Sequence, residues 1–160
     1  MTQAPSPDFA VIGGSGLASM PGLEVVHRQI MHTHWGEPSA AITFGELGGH
    51  VIAFLPRHGY GHTIAPHRVN YRAYLQALYD VGARRVVGVA AVGGSREDMT
   101  PGRLLVPDDL IDYTWGRDHS YFEGGTSGSP VVHVDFTKPY CGTLRQCLLD
   151  SADHLGVDAI

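Results

Sequence analysis

Apolar positions along this chain switch between two spacings, and the switching predicts strands interleaved with helices. Phe9–Ile12 is a short apolar run that ends in glycines and reads as a first strand. Ala40–Leu47 and His50–Leu55 flank Gly48-Gly49, and paired glycines supply the positive φ angles of a tight hairpin turn. Beyond Pro66 the spacing becomes helical. Tyr71, Tyr74, Leu75, Leu78 and Tyr79 fall at i, i+3, i+4, i+7 and i+8, with Gly82 as the cap. Val86–Val92 is apolar without alternation, the pattern of a strand buried on both faces. Leu104–Pro107 reads as a shorter strand and Tyr113–Ser129 as a long polar and aromatic loop, flexible at Gly124–Pro130. Leu144, Leu148, Ala152 and Leu155 put one apolar stripe on a last helix, capped by Gly156. The prediction is an α/β fold: a mixed sheet of Phe9–Ile12, the Ala40–Leu55 hairpin and Val86–Val92, with helices at Val69–Val81 and Gly142–Leu155.

Val157–Ile160 starts as another strand would. A helix joining two parallel strands needs the second strand to cover its apolar face. The pattern therefore predicts one domain, interrupted near Ile160, in preference to a frayed tail.

Composition narrows the classes of function. With 160 residues and 43% hydrophobic content, the chain can bury a core as a single domain. Eleven Lys and Arg against sixteen Asp and Glu give a net charge of −5 without runs of like charge. That argues against nucleic acid and anionic membranes as partners. Cys141 and Cys147 are six apart, off a common helical face, so neither a disulfide nor a zinc pair is expected and a reducing cytoplasm is the simplest compartment. Met1–Asp8 lacks the basic-then-apolar pattern of a signal peptide, and no apolar run is long enough to span a bilayer.

Candidate chemistry sits where two strands end. Phe9–Ile12 runs into Gly13-Gly14-Ser15-Gly16, whose glycines can turn the backbone so that its N–H groups face an anion, with a serine hydroxyl as a further donor. The apolar run Val51–Pro56 gives way to Arg57-His58. Ligands of α/β sheets bind beyond the carboxyl ends of strands, so the pair and the glycine turn together predict a phosphate or carboxylate site. An ordinary turn at Gly13–Gly16 and a surface ion pair for Arg57 are the structural alternatives. Ten histidines invite a metal reading, with His32 and His34 two apart and His58 and His62 four apart. Two ligands do not make a site, and Pro66 keeps the second pair off a regular helix, so no metal is expected. His62 and His67 read as packing residues, Tyr71, Tyr74 and Tyr79 as core or interface, and Trp115, Tyr121 and Phe122 as a subunit contact.

Several segments carry a resemblance. Val11–Leu17, Arg57-His58-Gly59, His62-Thr63-Ile64, Val69–Ala73, Ala91–Gly94, Pro101-Gly102, Ile111–Thr114 and His133–Phe136 occur here in one order. Together they resemble the trimeric purine nucleoside phosphorylase family, in its methylthioadenosine and methylthioinosine phosphorylase branch. The resemblance covers nearly all of this chain but only the N-terminal part of a family member. It implies a three-layer, phosphorylase-like α/β fold, incomplete at the C-terminus. The implied reaction is cleavage of a purine nucleoside by inorganic phosphate, giving free base and sugar 1-phosphate. Phosphate is the co-substrate. The reaction needs no protein nucleophile, metal or cofactor, because it works through electrostatic preorganisation around a sugar cation and a phosphate dianion. A hydrolase using water would have no use for an anion pocket.

By the same resemblance, Ser15 donates its hydroxyl and N–H to phosphate, Arg57 makes a charge-assisted contact to it, and His58 closes the site through backbone or ring. Ala91 offers a backbone N–H. Ala90 stands where relatives carry threonine or asparagine, and Ser95 where an aliphatic residue is usual. His133 matches a residue that reaches the neighbouring subunit's site near the sugar 5′ substituent, so a homotrimer is implied, with Tyr113–His133 at the contact. Ile111–Gly116 and His133–Phe136 favour S-methyl-5′-thioinosine as substrate, giving hypoxanthine and 5-methylthioribose 1-phosphate. The alternatives are release of adenine from methylthioadenosine, and a non-catalytic remnant that binds phosphate or a partner subunit. The ribose contacts and the residue that reads the purine fall beyond Ile160, so residues 1–160 alone are expected to be inactive.

Overall fold

The computed structural model describes residues 6–118, 120–122 and 131–160. They fall into two compact units: one runs to Ala91 and includes Arg117–Tyr121, and the other comprises Val92–Gly116 and Phe122–Ile160. The flexible stretch expected at Gly124–Pro130 lies outside the described residues.

The first unit is built on a mixed five-stranded sheet of β1 (Phe9–Gly13), β2 (Glu24–Gln29), β3 (Ile42–Leu47), β4 (His50–Pro56) and β5 (Val86–Val89), in the order β2-β3-β4-β1-β5. β1 lies between β4 and β5 and is parallel to both, whereas β2, β3 and β4 form an antiparallel meander. The α/β class and the hairpin are as predicted, and Gly48 and Gly49 take φ angles of 57° and 80° at its turn. β2 was not legible in the sequence. Its only apolar residues, Val25 and Val26, are adjacent and 54% and 68% exposed. The strand is held by its ladder to β3 and by His27 stacking on Phe44 at 4.5 Å, neither of which leaves a period-two trace.

One helix, α1 (Tyr71–Asp80), covers the core. Asn70 caps it, accepting from the Ala73 N–H at 3.1 Å and donating its own amide to the Trp35 carbonyl at 2.7 Å. The buried stripe is Ala73, Tyr74, Ala77 and Leu78, which join Ala10, Ile42, Phe44, Ala53 and Leu55 in one cluster. Leu75 and Tyr79, expected on that stripe, face solvent. The small alanines turn inward instead, because they let the helix approach the sheet, and Tyr79 is covered by the Arg84 guanidinium at 3.9 Å. Arg72 receives the returning segment. It lies 4.3 Å over the Trp35 ring and pairs with Asp118 at 3.0 Å, while the Tyr121 hydroxyl donates to the Arg72 carbonyl at 2.7 Å. Tyr121 is therefore anchored within its own unit, whereas Trp115 and Phe122 are exposed.

The expectation for Val86–Val92 requires correction. The strand stops at Val89, and among the described residues it is an edge strand, with Val86 and Val89 36% and 42% exposed. A run of β-branched residues encodes an extended backbone, but the position of a strand within a sheet is set by its pairing partners.

In the second unit, α2 (Gly142–His154) buries Ala152, while Leu148 and Leu155 of its stripe stay exposed. The strand expected at Leu104–Pro107 reduces to a parallel bridge between Leu104 and Ala159. The Val106 N–H donates to the Ile160 carbonyl at 2.7 Å and the Ile160 N–H to the Leu104 carbonyl at 3.0 Å. Val157–Ile160 thus has strand-like pairing, as its pattern implied.

Tyr74 yields a stability prediction. Its ring is buried and its hydroxyl donates to the Leu55 carbonyl at 3.3 Å. Burial pushes the phenol well above its ordinary range, against the opposing pull of the Arg57 charge. A raised folded-state value means that the stabilisation is complete below the unfolded value of about 10 and declines as pH rises beyond it. Tyr74→Phe should lose about 0.5–1.5 kcal/mol at neutral pH and show a shallower alkaline decline. Chemical denaturation across neutral and alkaline pH measures both, and an equally steep decline in the variant would exclude Tyr74 as the cause.

Candidate functional site

The site grows out of the register of the parallel strands. Gly13, the last residue of β1, stands opposite Pro56 at the end of β4 and opposite Val89 at the end of β5. The three strands therefore release their chains at one level, so Gly14-Ser15, Arg57-His58 and Ala90-Ala91 leave the sheet side by side. The Arg57 N–H donates to the Gly13 carbonyl at 2.8 Å, extending the ladder one step past the strand.

Gly14 is where the three meet. A Cβ on this residue would fall 2.5 Å from the Val89 carbonyl oxygen, 2.9 Å from Arg57 Nη2 and 3.1 Å from the Ala90 Cα. Only glycine allows so close an approach. The turn that follows is closed by the Leu17 N–H on the Gly14 carbonyl at 3.0 Å, with Gly16 at φ 84°. These are the features of a type II turn with Ser15 at its first corner. Ser15 is exposed at the edge of the cluster.

Arg57 is half-buried and His58 is 5% exposed. Arg57 Nε lies 3.3 Å from His58 Nε2, and His58 Nδ1 lies 2.8 Å from the Ile64 carbonyl oxygen. The His58 carbonyl accepts the N–H groups of Thr63 and Ile64, drawing the intervening loop tight. His62 sits in that loop with φ 51°, its ring 4.7 Å from that of His58. It packs, as expected. Ala90 and Ala91 are exposed just past β5, and their methyl groups leave only backbone donors there. His133 is exposed in an irregular stretch of the other unit, and the cluster is built within the first unit alone.

Two participants were invisible in the sequence: the Ile64 carbonyl, which receives His58, and Tyr74, which holds the Leu55 carbonyl just ahead of Arg57. A carbonyl carries no residue-type signal, and Tyr74 looked like any other core position. Among the described residues, no group of three His, Cys, Asp or Glu side chains gathers as metal ligands, and no helix is long and apolar enough to cross a membrane.

A half-buried guanidinium beside a glycine turn at the carboxyl ends of parallel strands is an arrangement for an anion. Residues 8–160 match the model of the phosphorylase superfamily. The chain belongs to that family. Similar members include S-methyl-5′-thioadenosine phosphorylase of Hyperthermus butylicus, 47% identical over 93% of this chain and 53% of that protein. A protein of Xanthomonas campestris pv. campestris, named "Probable S-methyl-5′-thioinosine phosphorylase", is 44% identical over 95% of this chain and 60% of its own length. The fold is also similar to the solved structure of methylthioadenosine phosphorylase from Schistosoma mansoni in complex with adenine. That likeness has a TM-score of 0.87 at 34% identity, over 92% of this chain and 52% of the other. The chain thus spans little more than half the length of these family members.

The crowding at Gly14 predicts unequal effects within one turn. Gly14→Ala should destabilise by about 1–3 kcal/mol through overpacking and displace the Arg57 guanidinium. At Gly16 nothing lies within 4 Å of an added Cβ, so Gly16→Ala should cost only the left-handed backbone term, about 1–2 kcal/mol, and leave Arg57 in place. Denaturation midpoints and a crystal structure of each variant separate the two, and an undisturbed Arg57 in Gly14→Ala would contradict the reading.

Proposed function

We propose that the intact protein is a purine nucleoside phosphorylase acting on S-methyl-5′-thioinosine, releasing hypoxanthine and 5-methylthioribose 1-phosphate, and that this chain supplies its phosphate site. The observation that carries the reading is the meeting of three parallel strand ends at Gly14, Arg57 and Ala90. In this proposal the Arg57 guanidinium, the Ser15 hydroxyl, the N–H groups of the glycine turn and those of Ala90 and Ala91 hold a phosphate dianion. As the glycosidic bond breaks, the sugar gains cationic character, and the fixed dianion stabilises it. Donors set in place before the reaction need no reorganisation during it, which is how such sites lower a barrier. No group of the protein has to attack.

His133 is proposed to approach the sugar 5′ substituent of a neighbouring subunit in a homotrimer. The exposed Ile111, Tyr113 and Trp115, at 78%, 86% and 89%, support an assembly, since three large apolar side chains so open within one short segment suit a partner surface. Light scattering of the intact protein should report a trimer. A fully active monomer would contradict that part of the proposal.

The reaction is tested on the intact protein by phosphate-dependent release of hypoxanthine from S-methyl-5′-thioinosine and of adenine from S-methyl-5′-thioadenosine. Hypoxanthine release should dominate, and faster adenine release would reverse the substrate assignment. Arg57→Ala removes a charged hydrogen bond of about 1.5–3 kcal/mol, so the KM for phosphate should rise roughly 10- to 100-fold at 1.4 kcal/mol per decade, with the nucleoside KM much less affected. An unchanged phosphate dependence would remove Arg57 from the site.

A further inference from the structure

We infer that His58 is a positioning residue for Arg57, and not a phosphate ligand through its ring: singly protonated on Nδ1, it uses the Nε2 lone pair to hold the guanidinium with both terminal nitrogens presented to the anion.

A carbonyl oxygen only accepts. The 2.8 Å contact between His58 Nδ1 and the Ile64 carbonyl therefore places a proton on Nδ1. In the singly protonated ring the other nitrogen is then an acceptor, which is what the Arg57 Nε–H, 3.3 Å away, requires. A second proton on Nε2 would set N–H against N–H. Flipping the ring would put carbon atoms at both positions and lose both bonds. Both ring nitrogens are thus occupied by the protein, in a side chain only 5% exposed. No ring atom is left for phosphate.

The consequence reaches Arg57. A guanidinium can grip an oxyanion side-on, through Nε and one terminal nitrogen, or end-on, through both terminal nitrogens. With Nε donated to His58, the side-on grip is closed. Nη2 already lies beside Gly14, 2.9 Å from where a Cβ would stand, so one prong of the end-on fork stands at the Gly13–Gly16 turn. The tight loop to Ile64 acquires a purpose in this arrangement. It fixes the imidazole that fixes the arginine.

This inference rests on the phosphate reading above, and its test separates the two. Long-range nitrogen–proton correlation NMR of the nitrogen-15-labelled intact protein near neutral pH should find the His58 ring protonated on Nδ1 alone. A ring protonated on Nε2, or on both nitrogens, overturns the inference whatever phosphate does. Binding of inorganic phosphate is then measured by titration calorimetry for the natural protein and two variants. His58→Asn reaches only as far as Nδ1 and can still donate to Ile64, but leaves the Arg57 Nε without its acceptor. His58→Gln is long enough to set an amide oxygen where Nε2 stood. Loss of one charge-assisted bond should weaken phosphate binding by His58→Asn about tenfold or more, whereas His58→Gln should stay within a few-fold of the natural protein. Equal losses in both variants would make the ring a ligand, and no loss in either would remove its role. If the natural protein fails to bind millimolar phosphate, the phosphate reading falls, while the NMR result still decides the geometry of His58.

Discussion

β1 runs parallel to both of its neighbours, and Gly13 stands opposite Pro56 on one side and Val89 on the other. Every feature of the site depends on this register. Adjacent strands lie about 4.8 Å apart, so three chains emerge within roughly 10 Å of each other at one edge of the sheet. A slip of one residue in either pairing would send each side chain to the opposite face, and Arg57 would no longer lie over the glycine turn. Parallel pairing also explains why the contributors are far apart in sequence. Between β1 and β4 the chain lays down β2 and β3, and between β4 and β5 it passes through α1, so each parallel neighbour comes late in the sequence.

The register is protected by what surrounds it. Ile52, Ala53, Phe54 and Leu55 of β4 are buried, and the Phe54 ring fills the space a side chain on Gly13 would need. Burial of a Leu or Phe side chain contributes about 1.5–3 kcal/mol, so the strand that delivers Arg57 is among the best-anchored segments of the unit. From the helix side, Tyr74 adds a hydrogen bond to the Leu55 carbonyl, two residues ahead of Arg57. The supporting groups are buried and the groups that would touch a ligand, Ser15, Ala90 and Ala91, are exposed. That division suits a preorganised site, where rigidity comes from the core and access from the strand ends.

The second unit is held differently. Its buried apolar side chains, among the described residues, are Val106 and Ala152. Order comes from polar contacts: Arg103 bonds Asp158 at 2.9 Å and the Asp98 carbonyl at 2.7 Å, and the Leu104–Ala159 bridge adds backbone pairing. Exposed ion pairs contribute only about 0–1 kcal/mol each. Within this chain, stability is concentrated in the sheet that carries Arg57 and the glycine turn.

Local chemistry was enough to announce much of this. The glycine turn, the Arg-His pair after an apolar run, the Gly-Gly hairpin and the helix from Tyr71 each depend on neighbours within a few residues, and so they left marks in the sequence. The order of segments was likewise sufficient to indicate the family. What the sequence could not disclose is whatever depends on partners distant along the chain. β2 exists because β3 offers it a ladder, and among the described residues β5 stands at an edge because of which strands pair with it. His58 acquires its role from one carbonyl and one guanidinium that only the folded loop brings to its two nitrogens. Residue type specified which atoms could donate or accept. Tertiary structure decided which of them meet, because pairing register and packing distance are properties of the closed sheet rather than of any single segment.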